Sequence, residues 1–402
     1  MRPLIRFLLR RLAFERPLTT VSVLLGAMQF ALGAWVWVVL LGGARPRAAS
    51  GAAWVLGLAA ANLALVPLLR RLNRQPLGRR VVRAYLSLGF ATVALGGAIT
   101  ACWLLFASLA SLLAASGESA QGAVAAFRAL SAAGVVALGS LLAWGFGVGH
   151  RRLEETQIRV ELPGLPPELR GLRVVQLSDL HIGNAMEGAT LAALVARANA
   201  LAPDVLVLTG DLFDFDPLVI EDGARELAKL RARLGVYAVL GNHDRYAGVG
   251  RVAAAFALVA PELRVLRGER VRLPCEARLW LAGVDDPGTD WTRRDLDDPV
   301  LRRLAETRPE DEAEILLVHR PESFPLAARL GWRLVLSGHT HGGQIALPGT
   351  GGRVNVARLI TRFDRGLHRL DGSTLYVNRG CGVAGPRIRL SCPREITTIE
   401  LV

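Results

Sequence analysis

The pattern of apolar and polar positions divides the chain in two. Over residues 1–150 the apolar positions run together in four stretches, roughly 18–42, 52–69, 84–115 and 129–149. Each is about long enough to cross a hydrocarbon layer of ~30 Å. Their interiors hold no charged side chain, and they lack the polar stripe that helices of a soluble bundle show. This pattern predicts an all-α transmembrane bundle of about four helices. After "VELPGLPPELRGLRV", which reads as a proline-rich linker over 151–170, apolar runs become short and alternate with helix-like segments. "LRVVQLSD", "PDVLVLTGD" and "GVYAVLGNHD" read as strands, with "GATLAALVARANAL" and "IEDGARELAKLRARL" as helices between them. "ARLWLAGVDD", "AEILLVHRPE", "GWRLVLSGHTH", "STLYVNRG" and "REITTIELV" follow as further strands. Strand–helix alternation followed by strand-rich sequence predicts an α/β domain over 171–402, with a buried sheet and a second sheet packed on it.

Charge sharpens the division. The first 150 residues hold fourteen arginines against Glu15 and Glu118, so +12 of the net +13 lies there and only +1 remains for 151–402. The rear portion therefore lacks the clustered basic surface of a nucleic-acid binder, and no nucleic-acid partner is expected. Arg2, Arg6, Arg10, Arg11 and Arg16 precede the first span, and Arg70, Arg71, Arg74, Arg79, Arg80 and Arg83 fill the second connection. Arg151 and Arg152 follow the fourth span, whereas the first connection has only Arg45 and Arg47 and the third, "ASGESAQGA", has none. By the positive-inside rule both termini and the rear domain are cytoplasmic, in a multi-pass protein of a bacterial inner membrane. Spans without acidic or basic side chains argue for an anchor in contact with membrane lipids rather than a proton relay. Cys102, Cys275, Cys381 and Cys392 have no metal-knuckle or disulfide spacing.

Polar residues collect where the predicted strands end. "VVQLS" ends in Asp179-Leu180-His181, and "VLVLT" in Gly210-Asp211, with Asp214 three positions on. "VYAVL" ends in Gly241-Asn242-His243-Asp244, "EILLV" in His319, and "RLVLS" in Gly338-His339-Thr340-His341. Taken singly each has a structural explanation: a turn pair, a helix cap at Asp211, an αL-tolerant Asn242 in a loop, or a histidine closing a strand. Together they are five strand ends bearing metal-ligand residues, and carboxyl ends of strands in open α/β sheets line one crevice. His339 and His341, two apart in extended chain, project to the same side, and flanking glycines admit close backbone approach. Mixed nitrogen and carboxylate ligands suit Mn²⁺, Fe²⁺ or Zn²⁺ rather than Ca²⁺. Arg245, Arg320, Arg379 and Arg387 lie near the motifs, as phosphate contacts or as surface arginines.

The ordered set "DLH", "GDLFD", "GNHD", the histidine of "LLVHRPE" and "GHTH" resembles calcineurin-like metallophosphoesterases over roughly 171–402. The longer forms "SDLHIG", "SGHTHGGQIALP" and "LYVNRGCG" are similar to the membrane-associated bacterial branch that includes YkuE- and YaeI-type proteins. The resemblance implies a four-layer α/β/β/α sandwich with two divalent metal ions. Asp179, His181, Asp211 and His341 would hold one ion, and Asp211, Asn242, His319 and His339 the other, with Asp211 bridging. It also implies His243 as the catalytic histidine, Asp244 as its orienting partner, and Asp214 beside His181. Two adjacent cations would neutralise a phosphoester and acidify water. The expected activity is hydrolysis of a phosphodiester or pyrophosphate, a lipid-linked one included. A noncatalytic metal-stabilised scaffold and a cyclic-nucleotide or nucleic-acid phosphodiesterase are the alternatives.

Overall fold

The computed structural model describes residues 17–43, 48–72, 75–115, 121–288, 297–309 and 312–402. Arg2, Arg6, Arg10, Arg11, Glu15, Arg16, Arg45, Arg47, Arg74 and Glu118 lie outside the described residues. The chain divides into two compact units, Met1–Phe146 and Gly147–Val402.

The first unit contains α1 (Pro17–Trp35), which runs on into a π turn (Val36–Leu40), α2 (Ala48–Leu72), α3 (Pro76–Ala115) and α4 (Gln121–Gly147). All four are long and apolar enough to cross a membrane. Small residues let them approach closely: a Cβ on Gly26 of α1 would come within 2.8 Å of Ala59 N in α2. Side-chain hydrogen bonds join them as well, with Trp35 Nε1 donating to Ser131 Oγ at 2.9 Å and Asn62 Nδ2 to Gln29 Oε1 at 2.9 Å. Both devices are those of helix packing in lipid, where apolar contact gives no preference for helix over tail. The fourth helix begins earlier than the expected 129–149, so Arg128 falls inside it. Arginine is a good helix former, and nothing in the preceding residues breaks the helix.

The second unit has two six-stranded mixed sheets. The first contains β1 (Leu153–Val160), β2 (Arg173–Leu177), β3 (Val205–Thr209), β4 (Val236–Val239), β5 (Leu263–Val265) and β12 (Arg394–Leu401), in the order β1-β12-β2-β3-β4-β5. The second contains β6 (Glu269–Arg272), β7 (Leu279–Val284), β8 (Ala313–Val318), β9 (Leu334–Ser337), β10 (Gly366–Leu370) and β11 (Ser373–Val377), in the order β10-β11-β9-β8-β7-β6. The segment read as a linker over 151–170 holds β1, which pairs in parallel along its whole length with β12. Its partner lies at the far end of the chain, which is why local pattern misses it.

Alternation along each strand builds the layers. Val175, Leu177, Leu206 and Leu208 face a core shared with α5 (Ala189–Ala200), α6 (Ile220–Leu227) and α8 (Val249–Val259). Val174, Val205 and Val207 face Leu281, Ile315 and Leu336 of the second sheet. Leu316 and Val335 turn the other way, onto α9 (Pro299–Glu306) and α10 (Phe324–Arg329). The result is the expected α/β/β/α sandwich. Strands covered on both faces must be apolar throughout, hence their unbroken runs. Two polar ties cross between the sheets at the strand ends: Gln176 Nε2 donates to Ser337 O at 2.9 Å, and Asn378 Nδ2 to Thr397 Oγ1 at 2.8 Å.

Trp332, 1 % exposed, fills the outer core beneath α9 and α10. Trp332→Ala is expected to cost about 3–5 kcal/mol and to lower the melting temperature of the detergent-solubilised protein by roughly 10 °C. A shift under about 2 °C would contradict this packing.

Candidate metal centre

The side chains singled out in the sequence follow the carboxyl ends of strands from both sheets. Asp179 and His181 follow β2, and Asp211 and Asp214 follow β3. Asn242, His243 and Asp244 open α7 (Asn242–Ala247) after β4. His319 follows β8, and His339 and His341 follow β9 of the second sheet. The crevice is therefore made by two facing sheets rather than by the edge of one. Five of these residues, Asp179, His181, Asp211, His339 and His341, have left-handed backbone with φ between 48° and 71°. For non-glycine residues that conformation costs energy and clusters at functional sites. It also changes the expected geometry at 339–341. The chain there is not extended, and the two imidazoles part, His339 toward His319 and His341 toward His181.

Asp211 is the focus. Its Oδ2 lies 3.2 Å from His319 Nε2 and 3.7 Å from His181 Nε2, while Oδ1 accepts the His243 backbone N–H at 2.7 Å. On one flank His181 Nε2 and His341 Nε2 are 3.0 Å apart, and His341 Nε2 is 3.4 Å from Asp179 Oδ1. On the other, His319 Nε2 is 3.1 Å from His339 Nδ1 and 3.2 Å from Asn242 Oδ1. Hydrogen bonds on the far side of two rings choose their tautomers. His319 Nδ1 donates to Thr209 O at 2.8 Å and His181 Nδ1 to Asp214 Oδ1 at 3.3 Å, so each Nε2 presents a lone pair to the cluster. Ring nitrogens of four imidazoles, two carboxylates and an amide oxygen thus converge in one largely buried space, a donor set that fits divalent cations. Among the described residues, three groups of side chains have ligand atoms close enough for an ion: Asp179–His181–His341, Asp211–His319–His339, and His181–Asp211–His243.

The electrostatics agree. Burial, reinforced by neighbouring histidines, holds His339 and His341 neutral, well below the usual imidazole range. Burial opposes the charge on Asp214, but hydrogen bonds from His181 and His243 prevail and bring it down to about 2.

Asp244 departs from its expected role as partner of His243. Its carboxylate accepts the backbone N–H groups of Phe213 at 2.9 Å, Gly241 at 2.8 Å and Leu212 at 3.2 Å, so it braces the Asp211 loop. His243 Nδ1 instead bonds Asp214 Oδ1 at 2.8 Å. Asp214 is thus shared by His181 and His243, whose rings lie 4.5 Å apart. The side chain adjacent to His243 in sequence points away because α7 starts there, aiming Asp244 back at the Gly241 amide of the helix start and at the loop after β3.

A pocket of about 470 Å³ opens over the cluster, and Asp211, Asn242, His243, His339 and His341 line it. None of the four arginines near the motifs does. Arg320 is buried in an ion pair with Asp286, and Arg379 pairs with Glu154 and Glu395. Arg245 reaches Asp286 O, and Arg387 lies toward Asn184. The pocket also holds residues that no motif announced, among them Phe215, Tyr246, Val356 and Ile360.

The ligand loops touch through glycines. A Cβ on Gly338 would stand 2.2 Å from Asp179 Oδ2 and 1.9 Å from Ser178 Oγ, and one on Gly241 would stand 2.4 Å from Asp211 N. Gly338→Ala is expected to weaken metal uptake at least about ten-fold, as displaced ligand-supporting contacts do, measured by metal titration of the purified protein. Gly57→Ala, in α2 with open space around it, serves as control. Equal uptake by both variants would refute the close fit.

Residues 172–343 match the model of the calcineurin-like phosphoesterase family. A bovine (Bos taurus) protein, called a transmembrane protein with metallophosphoesterase domain, is 35 % identical over 261 residues, 61 % of this chain and 56 % of its own. A metallophosphoesterase of Aquifex aeolicus is 33 % identical over 240 residues, covering 58 % of this chain and 87 % of its own. The metallophosphoesterase YkuE of Bacillus subtilis is 29 % identical over 283 residues, 67 % of this chain and 94 % of its own. The chain spans little more than half the length of the bovine relative. With a metallophosphoesterase sandwich and a His/Asp cluster at its strand ends, the chain belongs to the calcineurin-like metallophosphoesterases.

Proposed function

We propose that this is a membrane-anchored, metal-dependent phosphoesterase that hydrolyses a phosphodiester or pyrophosphate bond, a lipid-linked one included. The observation that carries this reading is Asp211 Oδ2, set between two ligand groups, with a His243–Asp214 pair beside it in an open pocket. Asp179, His181, Asp211 and His341 would hold one divalent ion, and Asp211, Asn242, His319 and His339 a second, of Mn²⁺, Fe²⁺ or Zn²⁺. When bound, such a pair neutralises phosphoryl charge and acidifies water.

The chain's own residues supply the rest. Asp211 places a single carboxylate oxygen between the two groups, and its other oxygen is held by the His243 amide. Asn242, a neutral oxygen donor, adds a ligand without adding negative charge. Asp214 accepts from His243 Nδ1 and stabilises the imidazolium, leaving Nε2–H for the leaving oxygen. As water's oxygen bonds to phosphorus and gives up one proton to solvent, the ester P–O bond breaks and the His243 proton passes to the departing alkoxide. The arginine distribution supports a catalytic unit on the cytoplasmic side of a bacterial inner membrane.

Asp211→Asn is expected to abolish metal-dependent hydrolysis of bis-p-nitrophenyl phosphate and to lower metal content measured by elemental analysis. Full activity with unchanged metal would sink the bridging role. His243→Ala is expected to keep its metal and lose about 10²–10⁴-fold in rate, more on alkyl than on p-nitrophenyl diesters. Equal losses on both would rule out proton donation by His243.

A further inference from the structure

Around the metal cluster the described lining of the pocket mixes polar side chains, Glu322, Thr340, Gln344 and Thr361, with an apolar edge, where a phosphate site ordinarily gathers basic side chains. Phe215 and Tyr246 stand at its edge, 58 % and 56 % exposed, with rings stacked at 5.3 Å and 10°. Both also lie against His243, at centroid distances of 4.8 and 5.3 Å. Val356, Ala357 and Ile360 line the same cavity. Of the large side chains exposed among the described residues of 147–402, Phe215, Tyr246 and Val356 line this cavity, and Leu218, Leu347, Val354 and Leu359 lie on the same segments. An apolar patch concentrated at one opening marks a binding surface. The arginines nearest the motifs are engaged with Asp286, Glu154, Glu395 and Asn184, and no Lys or Arg appears among the described lining residues. A dianionic phosphate or a second phosphoryl group would find no lysine or arginine counter-charge among the described lining residues, only His243. A monoanionic diester needs none beyond the metal cluster.

We infer that the pocket takes a monoanionic phosphodiester whose leaving group is borne on an apolar body, with Phe215 and Tyr246 as the platform for that group. This rests on the reading of His243 as the acid at the leaving oxygen, since the two rings flank His243. Water's oxygen bonds to phosphorus and releases one proton to solvent, the bond from phosphorus to the apolar group's oxygen breaks with its electron pair left on that oxygen, and the His243 proton goes to that oxygen to give the free alcohol. Apolar binding energy gained away from the reacting atoms is then available to hold the ester in reacting geometry. A bilayer lipid and a free amphiphile share this chemistry.

The test uses the full chain held in an amphipathic polymer with Mn²⁺. Its substrates are glycerophosphoglycerol, monomeric dihexanoylphosphatidylglycerol and vesicles of dioleoylphosphatidylglycerol. Each methylene withdrawn from water favours binding by about four-fold, so kcat/KM for the dihexanoyl ester is expected to exceed that for glycerophosphoglycerol at least about ten-fold. Phe215→Ala and Tyr246→Ala, both exposed positions, are each expected to shrink that ratio several-fold. The monoester p-nitrophenyl phosphate is expected to react at least about ten-fold more slowly than bis-p-nitrophenyl phosphate. Faster turnover on vesicles supports a bilayer source, and faster turnover on the monomeric ester supports a free amphiphile. A wild-type ratio near one, a ratio unchanged in both variants, or a preference for the monoester overturns the inference. Cleavage of bis-p-nitrophenyl phosphate without cleavage of either glycerol ester overturns it and leaves the phosphoesterase reading standing. Failure on every ester overturns both.

Discussion

The carboxylates of Asp179 and Asp211 and ring nitrogens of His181, His319, His339 and His341 crowd one buried space, where like groups repel one another unless positive charge stands between them. In the buried interior that repulsion is weakly screened. Burial opposes charge on His319, but the carboxylate of Asp211 prevails and raises it to about 10. Much of the surrounding architecture can be understood as what is needed to hold these groups together against their own electrostatics.

Three features do that holding. Left-handed backbone at five of the residues is a strained conformation that persists only where neighbouring structure over-determines it. Glycines at 241 and 338 leave no room for a Cβ, so one ligand loop rests directly on another. Asp244 takes three backbone amides and spans the Asp211 loop and the start of α7. Beneath them Gln176 and Asn378 bind the two sheets to each other at their strand ends. Because a buried polar group left unpaired costs more than a made hydrogen bond contributes, these ties also fix the register of the sheets at the level of the site.

The membrane unit solves a different problem with different means. Its helices present large apolar side chains such as Leu56, Leu88 and Leu112 outward and meet through Gly26 and the Trp35–Ser131 and Asn62–Gln29 hydrogen bonds. The catalytic unit keeps most of its exposed apolar side chains on the segments that line one pocket.

Much of this organisation was legible in the sequence because it is local. Apolar runs of membrane length, short buried strands and ligand-type residues immediately after them are each read within ten to thirty positions. The layered fold and the set of converging side chains follow from that pattern. Other features depended on contacts distant in sequence. Strand β1 is recognisable only by its pairing with β12, and Asp214 rather than the adjacent Asp244 supports His243 because α7 starts at that point and turns Asp244 inward. His339 and His341 separate because two residues in left-handed conformation bend a stretch that composition alone reads as extended. The sequence by itself determined which residues could bind metal and which segments could lie in lipid, since composition and period set burial. Tertiary structure alone decided which side chain faces which, and that the crevice is built from two sheets, because direction and distance are set by packing between elements far apart in the chain.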